Sequence, residues 1–315
     1  MTILTSRAIA QICDFYPKND EHIIFENDCR QFKPIHYSGI RYGSIVYVPT
    51  SCLDIWIENM VEDIRELEIK IVLVTGGSVV GAPAEVSDIF KMDIYNILKP
   101  ILLAWFTQNL DVPRILGVHS IPIGLDFHHL IKSRDERKFF KWLGPEQSIS
   151  QQNKYLIDIK NRALPWKDRI DKAFCFFQFQ LFERHDRDRY VAQEELPPDN
   201  EMMVYAEKRQ ERIETWNEMI KYKYIISPHG QGLDCYRTWE TIELGCIPVV
   251  KKSSLSESGL YTKLPVLVLD SWRDFLDPAI REEKVDKIQM YINNPPKKTL
   301  EYWLGRLEQS RYIEL

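Results

Sequence analysis

Nowhere in this 315-residue chain do about 18 apolar residues follow one another, none of its six cysteines forms a Cys-x-x-Cys pair, and no basic tract stands out. The first absence excludes a helical membrane span. The opening "MTILTSRAIAQICDFYPKND" also lacks a basic start followed by an apolar run of signal-peptide length, so the chain reads as a soluble, cytoplasmic protein. Cys13, Cys29, Cys52, Cys175, Cys235 and Cys246 are scattered, several within apolar runs, which points to buried free thiols rather than a disulfide scaffold. With 41 Lys and Arg against 46 Asp and Glu, interspersed, the net charge is -5, and a nucleic-acid partner is not expected. Internal repeats and low-complexity segments are absent as well.

What remains is an ordinary globular composition, 44% hydrophobic and 28% charged. A chain of this length divides naturally into two domains. "GSIVYVPT" (43–50) and "KIVLVTGGS" (70–78) read as strands around a helical "DIWIENMVEDIRELE" (54–68). Continuous apolar runs such as "IVLVT" suit parallel strands covered on both faces, so an open α/β sheet follows. "NILKPILLAWFTQN" (96–109) reads as a further helix and "RILGVHSIPIGLDFHH" (114–129) as strand and loop. Between about 130 and 170 the chain turns charged and polar, which marks the boundary. The alternation then resumes with strands at "KAFCFFQFQ" (172–180), "KYIISPHG" (223–230), "CIPVV" (246–250) and "LPVLVLD" (264–270), and helices at "RDRYVAQEEL" and "RQERIETWNEMIKY". The domains expected are 1–155, 156–295 and a C-terminal helix over 296–315.

The most informative stretch is "SPHGQGLDCYRTWETIELGCIPVV" (227–250). A strand that ends in "HGQG" and runs into a helix brings backbone N–H groups and a positive dipole end to the carboxyl edge of the sheet, where anions bind. Gly230 and Gly232 let backbone approach a phosphate closely. Asp234, Arg237 and Glu240 recur every three residues and so tend toward one helical face. Arg237 can fork onto phosphate oxygens and Glu240 can accept two ribose hydroxyls, which suits a nucleoside diphosphate. A surface ladder of ion pairs beside a plain glycine turn is the structural alternative, with Asp234 as a cap or first-turn charge. Gly245 is placed to end the helix in left-handed geometry.

This stretch, with "AWFTQNLD" (104–111) and "SIPIGLDFH" (120–128), resembles exostosin-like, family-47-type glycosyltransferases and above all their soluble viral and microbial relatives. The resemblance implies a GT-B architecture, two Rossmann-like domains facing across a cleft, with the C-terminal helix packing back on the first. It further implies metal-independent, inverting transfer of a sugar from a nucleotide sugar, a UDP-sugar by preference, to a glycan hydroxyl. Arg237 would neutralise diphosphate, Glu240 would hold ribose, and Ser227 to Gly232, including His229, would line the donor site. Related chains often carry an aspartate after the strand matching "VLVTGGS", where this one has Val79 and Val80.

Inverting transfer needs a base and a stabiliser of the leaving diphosphate. Arg184, Arg187 and Arg189 follow a strand of the second domain, and Arg187 or Arg189 is the candidate second clamp, unless the run is simply solvated beside Glu183, Asp186 and Asp188. Lys251 and Lys252 close the last strand of the motif. For the base, Asp88 is the first choice and Glu85 the second, both beyond the carboxyl end of "IVLVT". Helix capping is the structural alternative for Asp88, and Asp126 and His119 are rivals. His128 and His129 lie near Asp126, but no second cluster completes a tetrahedral set, so neither metal nor cofactor is expected. Two other readings stand: a non-catalytic glycan- or nucleotide-binding protein of the same fold, favoured by Val79, and an NAD-linked oxidoreductase, weakened because "VTGGSVVGAP" lacks Gly-x-Gly-x-x-Gly spacing.

Overall fold

The computed structural model describes residues 4–17, 33–127, 147–177, 179, 185–292, 294 and 299–312. Two parallel sheets organise them. The first has strands β1 (Ile45–Pro49), β2 (Ile71–Gly76), β3 (Leu102–Thr107) and β4 (Val118–Ser120), side by side in chain order. The second has β5 (Ile170–Cys175), β6 (Met203–Tyr205), β7 (Tyr222–Ile226), β8 (Ile247–Lys251) and β9 (Leu267–Leu269), in the order β6-β5-β7-β8-β9. Every pairing is parallel.

Burial on both faces explains the apolar runs. In β7, Tyr224 and Ile226 point into one cluster and Ile225 into another, and β5 divides likewise, with Ala173 and Cys175 on one side and Phe174 on the other. The alternation of side chains across a strand demands apolar residues at consecutive positions when helices cover both faces. The larger cluster runs from Ile45 and Trp105 of the first sheet to Phe174 and Trp216 of the second, so one core spans both units.

The segment 96–109 departs from the helical reading. A short helix ends at Leu98, a single turn covers Lys99–Ile101, and Leu102–Thr107 is the fully buried strand β3. Pro100 lies in that turn, where its missing N–H costs nothing, and a buried apolar run has no periodicity that tells helix from strand. The short β6, not expected from the sequence, pairs with β5 through Phe174↔Val204. A single helix, Ile149–Arg162, opened by a capping box between Ser148 and Gln151, runs through residue 155. His128 and His129, and with them residues 130–146 of the charged boundary region, lie outside the described residues.

The carboxyl edges of the two sheets face each other, and the C-terminal helix Leu300–Ser310 packs on the first unit, as a GT-B arrangement requires. Beyond it, Arg311 forks onto Asp14 at 2.7 and 3.0 Å. Burial alone would raise the Asp14 carboxyl, but these bonds and the Ile45 N–H hold it below its ordinary value. Cys13, Cys175, Cys235 and Cys246 are free thiols, whereas Cys52 is disulfide-bonded, which corrects the expectation of free thiols at that position. No helix among the described residues is long and apolar enough to cross a membrane.

A buried charge cluster ties the units together. The Arg212 guanidinium donates to the Asp126 carbonyl, to its carboxylate at 3.0 Å and to Gln152 Oε1 at 3.1 Å, and lies 3.7 Å from Glu240. All four side chains are nearly inaccessible. Removing one member of such a set leaves uncompensated charge in a poorly solvated place. Arg212→Met is therefore expected to lower the unfolding free energy by about 3–5 kcal/mol, as removal of one partner of a buried pair does. Urea denaturation measures this, and a loss below about 1 kcal/mol, the worth of an exposed pair, would show that the cluster does not bind the units together.

Candidate functional site

In the second sheet the chain passes from β5 outward to β6, then returns to the other side of β5 as β7. Connections leave adjacent strands in opposite directions at that point, so a crevice opens at the carboxyl ends of β5 and β7, the place where open α/β sheets hold ligands. Phe176 and Phe177, which follow β5, and the Ser227–Asp234 segment, which follows β7, stand at those ends.

Two guanidiniums flank the Ser227–Asp234 segment. Arg237, in the first turn of the helix Tyr236–Glu243, donates from Nη1 to the Pro228 carbonyl at 3.2 Å and stacks over Phe176 with 5.2 Å to the ring centre. Arg189, in the helix Asp188–Glu195, donates from Nε to the next carbonyl, that of His229, at 3.1 Å. Gly230 leaves room for the guanidinium: a Cβ at this position would stand 2.9 Å from Arg189 Nη2 and 3.2 Å from Cys235 Sγ, so Arg189 would have to shift. Burial pushes the Arg237 guanidinium down to about 10, and Arg189 adds to the effect while Cys235 and Glu240 oppose it. Among the described residues Arg237 has no ion pair, and its buried Nε has no hydrogen-bond partner.

The backbone amides are disposed differently from the sequence expectation. Ser227 N donates to Val249 O, His229 N to the Asp188 carboxylate, Gly230 N to Gly232 O, Asp234 N to Asn109 Oδ1 and Cys235 N to Asp234 Oδ1. These five N–H groups are already used, so an anion at these positions would meet the guanidiniums rather than those amides. Nor is the helix start empty, since the Asp234 carboxylate sits at it.

The other sequence candidates separate into groups. Asp234 is an interdomain tie: its carboxylate accepts from Ile123 N at 3.0 Å and Trp239 Nε1 at 2.9 Å. Gly232 allows this approach, since a Cβ there would stand 2.9 Å from the Asn109 amide. Glu240 belongs to the Arg212 cluster; burial raises it, with Arg212 opposing. No ladder of ion pairs links Asp234, Arg237 and Glu240. Ser227 Oγ lies 2.9 Å from Thr238 Oγ1, and the His229 ring faces the Leu233 carbonyl at 2.7 Å. Arg187 is exposed, 4.6 Å from the centre of the Tyr190 ring, which in turn is 4.7 Å from Phe179. Lys251 lies 3.9 Å from Asp188. Arg184 lies outside the described residues. Gly245 ends the helix in left-handed geometry, φ +72°, as expected.

On the first unit, Asp88 is exposed inside the helix Ala84–Phe90 and does not cap it. The cap is Asp111, overlooked in the sequence, whose two oxygens accept from Ala84 N at 3.0 Å and Glu85 N at 2.6 Å. The Glu85 carboxylate accepts from Gly81 N at 2.6 Å. Burial lifts Asp111 to about 6, with Asp88 adding repulsion. Asp126 is held by Arg212, and His119 is lowered by burial and by Arg306. The signal for Asp111 was an acidic residue ending a strand at the edge facing the cleft, hidden because that run read as helix.

No family model matches the chain, and no curated protein matches it. Among solved structures it is similar to an alpha-1,3-fucosyltransferase, at 12% identity and a TM-score of 0.30, over 85% of this chain and 82% of that one. It is also similar to an alpha-glucosyltransferase in complex with UDP, at 12% identity and a TM-score of 0.28, over 85% of this chain and 75% of that one. Likenesses this distant carry no argument about chemistry.

Asp234 gives the site a measurable pH signature. Burial raises its carboxyl to about 6, against an ordinary 3.8, with its hydrogen bonds opposing. Between those values the folded chain holds a proton that the unfolded chain has lost, so this contribution to stability is full below about pH 4 and declines as pH rises through 6. Asp234→Asn cannot titrate. The stability of the parent relative to this variant is therefore expected to fall by on the order of 2–3 kcal/mol from pH 4 to 7, about 1.36 kcal/mol per unit. Urea unfolding at each pH checks this; a constant difference would mean the carboxyl is not perturbed.

Proposed function

We propose that the chain is a glycosyltransferase that takes a nucleoside diphosphate sugar, a UDP-sugar by preference, and transfers its sugar to a glycan hydroxyl with inversion and without a metal. The observation that carries this reading is the pair Arg189 and Arg237 at the switch-point crevice between β5 and β7. A guanidinium withdrawn from water without a counter-charge is unfavourable, and a second beside it adds repulsion. An incoming diphosphate relieves both at once and takes up the unused Nε–H of Arg237. The same positive charge then stabilises the diphosphate as it leaves, which is the electrostatic part of the catalysis. The Phe179 and Tyr190 rings beside Arg187 offer flat faces for a nucleobase. The resemblance of residues 227–250 to exostosin-like enzymes supports the same assignment.

The base comes from the carboxylates on the first unit. We assign it to Asp88, whose carboxylate is exposed, whereas those of its neighbours Glu85 and Asp111 are engaged by backbone N–H groups. The acceptor hydroxyl loses its proton to that carboxylate as its oxygen attacks the anomeric carbon and the bond to the diphosphate breaks. A non-catalytic binding protein of the same fold is the second reading, and Val79, 39% exposed on the loop after β2, favours it because no acid stands there.

Calorimetry with UDP, GDP and their sugars tests the site directly. Arg237→Ala is expected to weaken UDP binding roughly 10- to 100-fold, the worth of a charged hydrogen bond of about 1.5–3 kcal/mol. Unchanged affinity would remove the assignment. Release of UDP in the presence of acceptor and EDTA separates enzyme from binder. Asp88→Asn is expected to leave UDP affinity within twofold and to abolish turnover; if turnover persists and falls in Asp111→Asn instead, the base is Asp111.

A further inference from the structure

A second cavity, of about 480 Å³, lies where the two units meet the C-terminal helix, lined by the end of β4, the turn around residues 258–263 and one face of Leu300–Ser310. It shares no residue with the crevice between β5 and β7. Two of its lining side chains, Lys263 and Arg306, are cationic, and no acidic side chain lines it among the described residues. Arg306 stacks over Phe106 and Trp303, at 5.6 Å from each ring centre, and has no ion pair among the described residues. Trp303 is 1% exposed, and its indole N–H has no hydrogen-bond partner. Tyr302, 42% exposed, presents a ring at the same wall, and the hydroxyl of Thr262 adds a polar contact.

The charge around the cavity is one-sided. In a chain with net charge -5, basic side chains usually find carboxylates, and Arg311, one turn beyond Arg306, does so with Asp14 and Glu308. Arg306 is held against aromatic rings instead. His119, also in the wall, is pressed toward its neutral form by burial and by Arg306, so it adds no charge and can both donate and accept.

We propose that this cavity binds a small anionic, hydroxyl-bearing molecule, a phosphorylated or carboxylated sugar, with Lys263 and Arg306 on the anionic group and the exposed Tyr302 against the ring. The proposal does not depend on the transfer reaction. It requires only that the cationic wall meet an acceptor-rich ligand. Phosphate and carboxylate share the relevant chemistry, charged oxygens for forked and point-charge donors.

Calorimetry on the full chain with glucose 6-phosphate, glucuronate and glucose tests it, and the two anionic probes show which charged group is preferred. Glucose 6-phosphate or glucuronate is expected to bind at least tenfold more tightly than glucose. Lys263→Gln, at an exposed position, is expected to weaken that binding about fivefold or more, and Arg306→Gln further, while Arg237→Gln leaves it unchanged. Binding that drops in Arg237→Gln and not in Lys263→Gln would place the anion in the other crevice and overturn the proposal. So would failure of both anionic sugars to outbind glucose. Should Arg306→Gln unfold through loss of its stacking, Lys263→Gln still decides the matter.

Discussion

A single buried carboxylate, that of Asp234, fixes where the two sheets stand relative to each other. It accepts N–H groups from Ile123 on the first unit and from Cys235 and Trp239 on the second, while its own backbone N–H goes to Asn109. A carboxylate out of water has to be satisfied on every side, and here the satisfaction comes from both units. Sliding the sheets apart would strand it. Ser254 Oγ on the Leu110 carbonyl and Ser258 Oγ on Ser120 Oγ extend the same seam, and the Arg212 cluster closes one end of it.

That seam determines which groups are left for chemistry. Several amides after β7 are engaged, those of Ser227, His229 and Asp234 by Val249, Asp188 and Asn109, and the helix start is engaged by Asp234. In the proposed reading, recognition of an anion falls to the side chains of Arg189 and Arg237. Arginine would suit that task in one respect: its fork can follow an anion as charge moves onto it.

The strands were legible because each is buried on both faces, which writes a continuous apolar word into the sequence. "IVLVT" became β2 and "KYIIS" became β7 for that reason. The same property hid β3, since an apolar run after Pro100 looks alike in helix and strand, and with β3 went Asp111. Within the candidate site, the choice of Arg237 and Arg189 rested on residue type and on the edge that strand ends define, both local facts. The fate of Asp234, Glu240 and the glycine-turn amides was not local. Their partners are Ile123, Arg212, Asn109 and Asp188, 28 to 125 residues away, and no spacing within 227–250 announces them.

The distribution of charge connects the two crevices. Carboxylates outnumber cations in the chain by five, yet Arg237, Lys263 and Arg306 stand without ion-pair partners among the described residues. In a random arrangement such groups would be the first to find a counter-charge, because a surplus of acid surrounds them. Their isolation is structural: Phe176 holds Arg237, and Phe106 with Trp303 holds Arg306, each through a ring face that attracts a cation without neutralising it. A stacked guanidinium is positioned and still charged, so its remaining N–H groups point the field of a full positive charge into whatever space adjoins it. Both spaces are bounded by the same seam, one at the β5 and β7 edge and one at β4. The aromatic residues of this chain thus do more than fill a core; at these two places they hold an arginine without neutralising it, which is the arrangement both proposals draw on.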